Sequence, residues 1–218
     1  MEFLHTLVDW ALHLDVHIND LIAAYGGWTY AILFAVIFSE TGLVVAPFLP
    51  GDSLLFAAGA LAATGSIDPV WLFVSLSVAA ILGNTANYWL GYHIGPGILR
   101  KENVRFLNKA YLERARLFYE KRGGMTIVIA RFLPILRTFA PFVAGIGAMK
   151  YPKFMAYNVA AGIAWVGLFV FAGYFFGNIP SVKSNFSLVI VAIIVISTLP
   201  ALFGYLKHRK EGIKSTAS

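Results

Sequence analysis

The chain has 218 residues, of which 59% are hydrophobic and 13% charged; it contains no cysteine, and its formal net charge is +6. With a mean hydropathy of +0.73, it carries far more apolar surface than a globular domain of this size needs, which makes it an integral membrane protein; the missing thiols exclude disulfides, thiolate metal sites and a cysteine nucleophile. The charge is divided, with seven acids and no Lys or Arg in residues 1–99 against all 17 bases and four acids in residues 100–218, and since those bases flank hydrophobic spans, membrane orientation and anionic lipid explain them and nucleic acid does not.

Residues 1–26 place Phe3, Leu7, Trp10, Leu14 and Ile18 at three- and four-residue steps, with Glu2, Asp9, Asp15 and Asp20 between them. That pattern predicts an interfacial amphipathic helix, and the absence of a basic n-region makes it mature structure and not a cleaved leader. An apolar tract over 28–63 is broken by Pro47 and Pro50, and a clean transmembrane span follows at 70–95. Residues 28–46 are long enough to span alone. Residues 100–122 carry eight bases and three acids around Val104, Leu107, Tyr111, Leu112 and Phe118, which reads as a basic amphipathic helix on the cytoplasmic surface.

A second broken tract, 124–148, contains Arg131, Pro134, Arg137 and Pro141, and Lys150 and Lys153 follow it. Those lysines join the basic segment on the cytoplasmic side only if the tract dips into the bilayer and returns, so the charge rule favours a re-entrant hairpin. Spans at 154–177 and 186–206 then leave the basic tail, 207–218, cytoplasmic, with the N-terminus on the periplasmic side.

An internal repeat supports the same reading of the first tract. Phe48-Leu49-Pro50 precedes Ala58-Gly59 and Gly91-Tyr92, while Phe132-Leu133-Pro134 precedes Ala144-Gly145 and Gly173-Tyr174. The expected fold is therefore all-α: an inverted repeat of amphipathic helix, re-entrant hairpin and transmembrane helix, plus a C-terminal transmembrane helix. The first hairpin enters from the outer face and the second from the cytoplasm, a plan shared with transporters whose broken helices meet near the midplane.

The charges inside the broken tracts are the candidate site. On one straight helix Glu40 and Asp52 would lie about 18 Å apart, and Arg131 and Arg137 would point roughly 240° apart. The prolines let the chain turn at depth and bring both arms together, which is tolerated only where protein or water surrounds the backbone. Two acids and two arginines can be ion pairs that fix hairpin packing. They can also form a proton-coupled site for an anionic head group, since arginine presents a permanently charged fork suited to phosphate and a desolvated carboxyl can exchange a proton near neutral pH. Asn84, Asn87, Tyr88 and Asn158 are candidates to line that cavity, and the asparagines serve equally as interhelical hydrogen-bonding glue. Gly83, Gly91, Gly162 and Gly173 permit close helix packing. Asp9, His13 and His17 share a helix face, but at a wet interface they read as solvated, and neither a metal nor a cofactor is expected. No catalytic serine, phosphate-loop or zinc-helix motif occurs, so an enzyme is not expected.

Glu40, the FLPGD run ending at Asp52, the GNTANYWLG segment and ARFLPILRTFAPFVAG at 130–145 resemble the DedA family of bacterial inner-membrane proteins, part of a superfamily that includes eukaryotic endoplasmic-reticulum scramblases. The resemblance implies lipid transport in envelope homeostasis: recycling of undecaprenyl phosphate across the cytoplasmic membrane, driven by proton-motive force. Glu40 and Asp52 correspond to the family's functional acids, and Arg131 and Arg137 to its arginines. Two positions depart from the family pattern: Asn84 stands where an acid is frequent, and Tyr92 where arginine is frequent. The alternatives are a less selective phospholipid scramblase and a non-transporting scaffold or assembly factor.

Overall fold

The structure is a computed structural model, and it describes residues 14–43, 51–100, 117, 119–186, 188–193 and 195. The described residues contain helices and no strand. Pro47, Pro50, Asp9, His13, most of the basic 100–122 segment and residues 196–218 lie outside them.

Among the described residues, two helices are long and apolar enough to cross a membrane: α4 (Pro69–Arg100), through its Pro69–Ile94 portion, and α7 (Tyr151–Phe176). Twenty-six residues at 1.5 Å each give about 39 Å, more than the ~30 Å hydrocarbon core. Their outward faces carry exposed Val74, Val78 and Leu82 on α4 and Ile163, Leu168 and Phe171 on α7, apolar surface that suits lipid and not water. Trp71 and Tyr92, both exposed, lie roughly 32 Å apart along α4, the separation of the two aromatic belts of a bilayer.

Other helices, over their described residues, are too short to cross. α1 (Leu14–Tyr25) buries Ile18 and exposes Asp20. α2 (Trp28–Gly42) and α3 (Gly51–Ala62) span only about 22 and 18 Å. The Asp68 amide donates to the Tyr30 hydroxyl at 2.7 Å, so the chain beyond α3 returns to the level at which α2 began. Every residue of α3 is buried. α5 (Met125–Ala130) and α6 (Pro134–Val143) form a second short pair, followed by a π-helical turn at Ala144–Ala148. Leu133 is extended at φ −119° and ψ 105°, the conformation imposed by a following proline, and Pro134 opens α6. Pro141 sits inside α6, where its missing N–H breaks the regular ladder just before the π turn.

Packing is crossed between the two halves: α3 lies on α7, and α6 with the π turn lies on α4. Four glycines make these contacts possible. A Cβ at Gly59 would collide with the Val170 carbonyl and one at Gly173 with the Phe56 carbonyl; likewise, one at Gly91 would collide with Phe142 and one at Gly145 with Tyr88. In each case the obstructing carbonyl belongs to the residue three before the partner glycine. Backbone therefore meets backbone at both crossings, as small residues allow between membrane helices.

Candidate functional site

The end of α2, the start of α3 and the break between α5 and α6 come together beside α4 and α7. Glu40 occupies the last turn of α2 and Asp52 the first turn of α3. The second position favours a carboxylate at the positive helix end, while the first needs another cation. Arg137, in the first turn of α6, supplies it. Its Nη2 lies 2.8 Å from Glu40 Oε1, an ion pair without the alignment of a hydrogen bond, and its Nη1 donates to Asp52 Oδ1 at 2.9 Å. A side chain at Gly51 would displace the Glu40 carboxylate from this position.

Arg131 follows α5 at the break and is held differently. Its Nη2 donates to Asn158 Oδ1 at 2.9 Å and approaches the Ala80 carbonyl at 3.4 Å. Neither its Nε nor its Nη1 has a hydrogen-bond partner among the described residues. Asn84 also donates to Asn158 Oδ1, at 3.0 Å, and Asn158 donates to the Ile81 carbonyl at 3.0 Å. Asn87 donates to the Thr138 carbonyl at 2.8 Å, bracing the backbone beside Arg137, and to the Thr41 carbonyl at 3.4 Å. Tyr88 faces elsewhere, donating to the Met149 carbonyl at 2.9 Å and stacking on Phe154.

Residue-by-residue reading of the sequence overlooks Trp165. Its indole N–H donates to Asp52 Oδ1 at 3.0 Å, and the guanidinium carbons of Arg131 and Arg137 stand 5.5 and 5.2 Å from its ring centroid. One side chain thus touches three of the four charges. A signal was available: Trp165 lies mid-span, away from the interfacial belts where tryptophan normally gathers.

The cluster is sealed, with Glu40, Asp52, Arg131 and Arg137 exposed by only 1, 8, 2 and 6%. Its two cations are unequal. Arg137 faces two carboxylates, whereas Arg131 has neutral hydrogen-bonding partners and two donors left unpaired among the described residues. Such a guanidinium can accept an oxyanion through its fork. Among the described residues no three His, Cys, Asp or Glu side chains converge as a metal site.

Residues 49–175 match the VTT domain family, so the chain is a helical membrane protein of that class. It is 49% identical to Protein DedA of Escherichia coli strain K12 over 217 residues, 99% of each chain, and 46% identical to the uncharacterized membrane protein ML0287 of Mycobacterium leprae over 167 residues, 77% of this chain and 75% of that one. It is also 35% identical to the inner membrane protein YghB of E. coli over 177 residues, 81% of this chain and 78% of that one. Within the VTT class, then, the chain belongs to the DedA family. No solved structure matches it.

Proposed function

We propose that the protein is a lipid carrier, not an enzyme, that moves undecaprenyl phosphate across the bacterial inner membrane, coupled to proton-motive force, and so supports envelope homeostasis. The observation that carries this reading is the inequality of the arginines. Arg131 keeps two buried donors, Nε and Nη1, that have no hydrogen-bond partner among the described residues, which suits a phosphate monoester, while Arg137 is held by Glu40 and Asp52. Protonating those carboxyls releases Arg137 to join Arg131 on the phosphate; deprotonation recaptures it and weakens the lipid's hold. Head-group binding is thereby tied to the proton gradient.

The sealed cluster is one state of an alternating-exposure cycle. The reciprocal glycine contacts at both crossings support an inverted repeat, and the return of the chain from Tyr30 to Asp68 supports a re-entrant first hairpin. Relatives named as inner membrane proteins support the location, with the basic loop and C-terminus cytoplasmic and the N-terminus periplasmic.

Arg131→Lys tests the fork. Lysine keeps the charge but loses planar two-point recognition, so affinity for a polyprenyl monophosphate should fall by about tenfold or more, one missing charged hydrogen bond. Unchanged affinity would remove the reason for assigning Arg131 to the phosphate.

The pairing of Arg137 with both acids favours a second reading, in which these charges only hold the fold. A scaffold of this kind would keep its biological function when Glu40, Asp52 and Arg137 are together replaced by well-packed apolar residues. Loss of function in a folded triple variant contradicts it.

A further inference from the structure

A cleft of about 750 Å³ opens away from the charge cluster, between the end of α4 and the start of α7. Its floor is Tyr88, fixed by the hydrogen bond to Met149 and the stack on Phe154. Gly145 brings the π turn hard against α4 behind it. The walls are Trp89, Tyr92 and Tyr151, with ring centroids 5.5 Å apart for Trp89 and Tyr92 and 5.4 Å for Trp89 and Tyr151. Two ionisable groups of basic character, His93 and Lys150, complete it, and no Asp or Glu is among its described lining residues. His93 Nδ1 lies 2.9 Å from the Trp89 carbonyl, a hydrogen bond that fixes the orientation of the ring.

The cleft sits at the Tyr92 end of α4, at the aromatic-belt level and toward the basic 100–122 segment. Below it the exposed residues Val78, Leu82 and Trp89 run along one helix stripe, a track the length of a lipid chain. An aromatic rim at head-group depth, basic side chains with no acid among the described lining residues and an apolar track beneath them match an anionic phospholipid, head group and tail together.

We propose that this cleft is a binding site for the phosphate head group of an anionic phospholipid, separate from the buried cluster. Lys150 meets the phosphate beside His93, the rings of Trp89, Tyr92 and Tyr151 enclose the glycerol region, and the acyl chain follows the α4 stripe. The site does not depend on transport or on Arg131.

The test is photolabelling of the full chain in phosphatidylcholine nanodiscs containing phosphatidylglycerol with a diazirine near its head group, followed by mapping of the adducts. Adducts should concentrate on residues 89–93 and 146–151. Lys150→Gln should reduce them about fivefold, the effect of one lysine at an anionic surface; Lys150→Arg should restore them, and Arg131→Lys should leave them unchanged. Labelling spread evenly over the exposed faces of α4 and α7, or equal in Lys150→Gln and the parent, would overturn the proposal. So would competition by millimolar inorganic phosphate, which would make the cleft a free-anion site.

Discussion

Trp165 and Asp52 are joined by a 3.0 Å hydrogen bond from the indole N–H to Oδ1, although 113 residues separate them in sequence. The same indole ring lies against both guanidiniums, so Trp165 fixes the carboxylate and the cations relative to one another. Trp165→Phe removes the donor and one of the two fused rings while keeping an aromatic face, and should cost at least about 1.5–3 kcal/mol, the range for a hydrogen bond to a charged group. Trp165→Leu also removes the ring face and should cost roughly 2 kcal/mol more. Thermal unfolding of both variants in one detergent gives the comparison, and equal stabilities would dismiss the ring's role.

Asn158→Asp adds a carboxylate where Arg131 now meets an amide. If Arg131 is the anion site, this substitution should weaken polyprenyl-phosphate binding by about tenfold or more, since a charge partner worth a few kcal/mol now competes with the lipid, while the loss of the Asn158 donor to the Ile81 carbonyl offsets part or all of the stability that the new pair adds. Unfolding and binding measured on the same sample separate the two effects. Undiminished binding in a folded Asn158→Asp protein would place the phosphate elsewhere.

The helix crossings make a prediction that does not depend on function. Gly59→Ala would press a methyl into the backbone carbonyl of Val170, which cannot swing aside, so a loss of roughly 1–3 kcal/mol or failure to fold is expected. Gly167→Ala serves as the control: its new Cβ would stand 3.4 Å from the Phe73 ring, an ordinary contact. Yield and thermal stability of the two variants should differ in that order.

Much of this architecture is legible in sequence because the bilayer imposes strong length rules. The spans expected at 70–95 and 154–177 coincide closely with the apolar stretches Pro69–Ile94 and Tyr151–Phe176. Glu40, Asp52, Arg131 and Arg137 stand out as isolated charges in apolar tracts, and the fold gathers them into one cluster. Pairing was not legible. Composition treats the two arginines alike, whereas Arg137 opens α6 toward both acids and Arg131 ends up in the preceding break beside Asn158. Tyr88 and Asn87 are adjacent in sequence yet serve different places: a helix turns about 100° per residue, sending Asn87 toward Thr138 and Tyr88 to the aromatic cleft. Helix-face arithmetic needs a known neighbour before it can choose between them.

The most direct test of the central claim is transport in proteoliposomes, following loss of outer-leaflet undecaprenyl phosphate with and without a pH gradient in the parent protein, Asp52→Asn and Arg137→Ala. The account requires gradient-stimulated movement that both variants lose while remaining folded. Movement indifferent to the gradient would make the protein a scramblase, and no movement by the folded parent protein would contradict the carrier account outright.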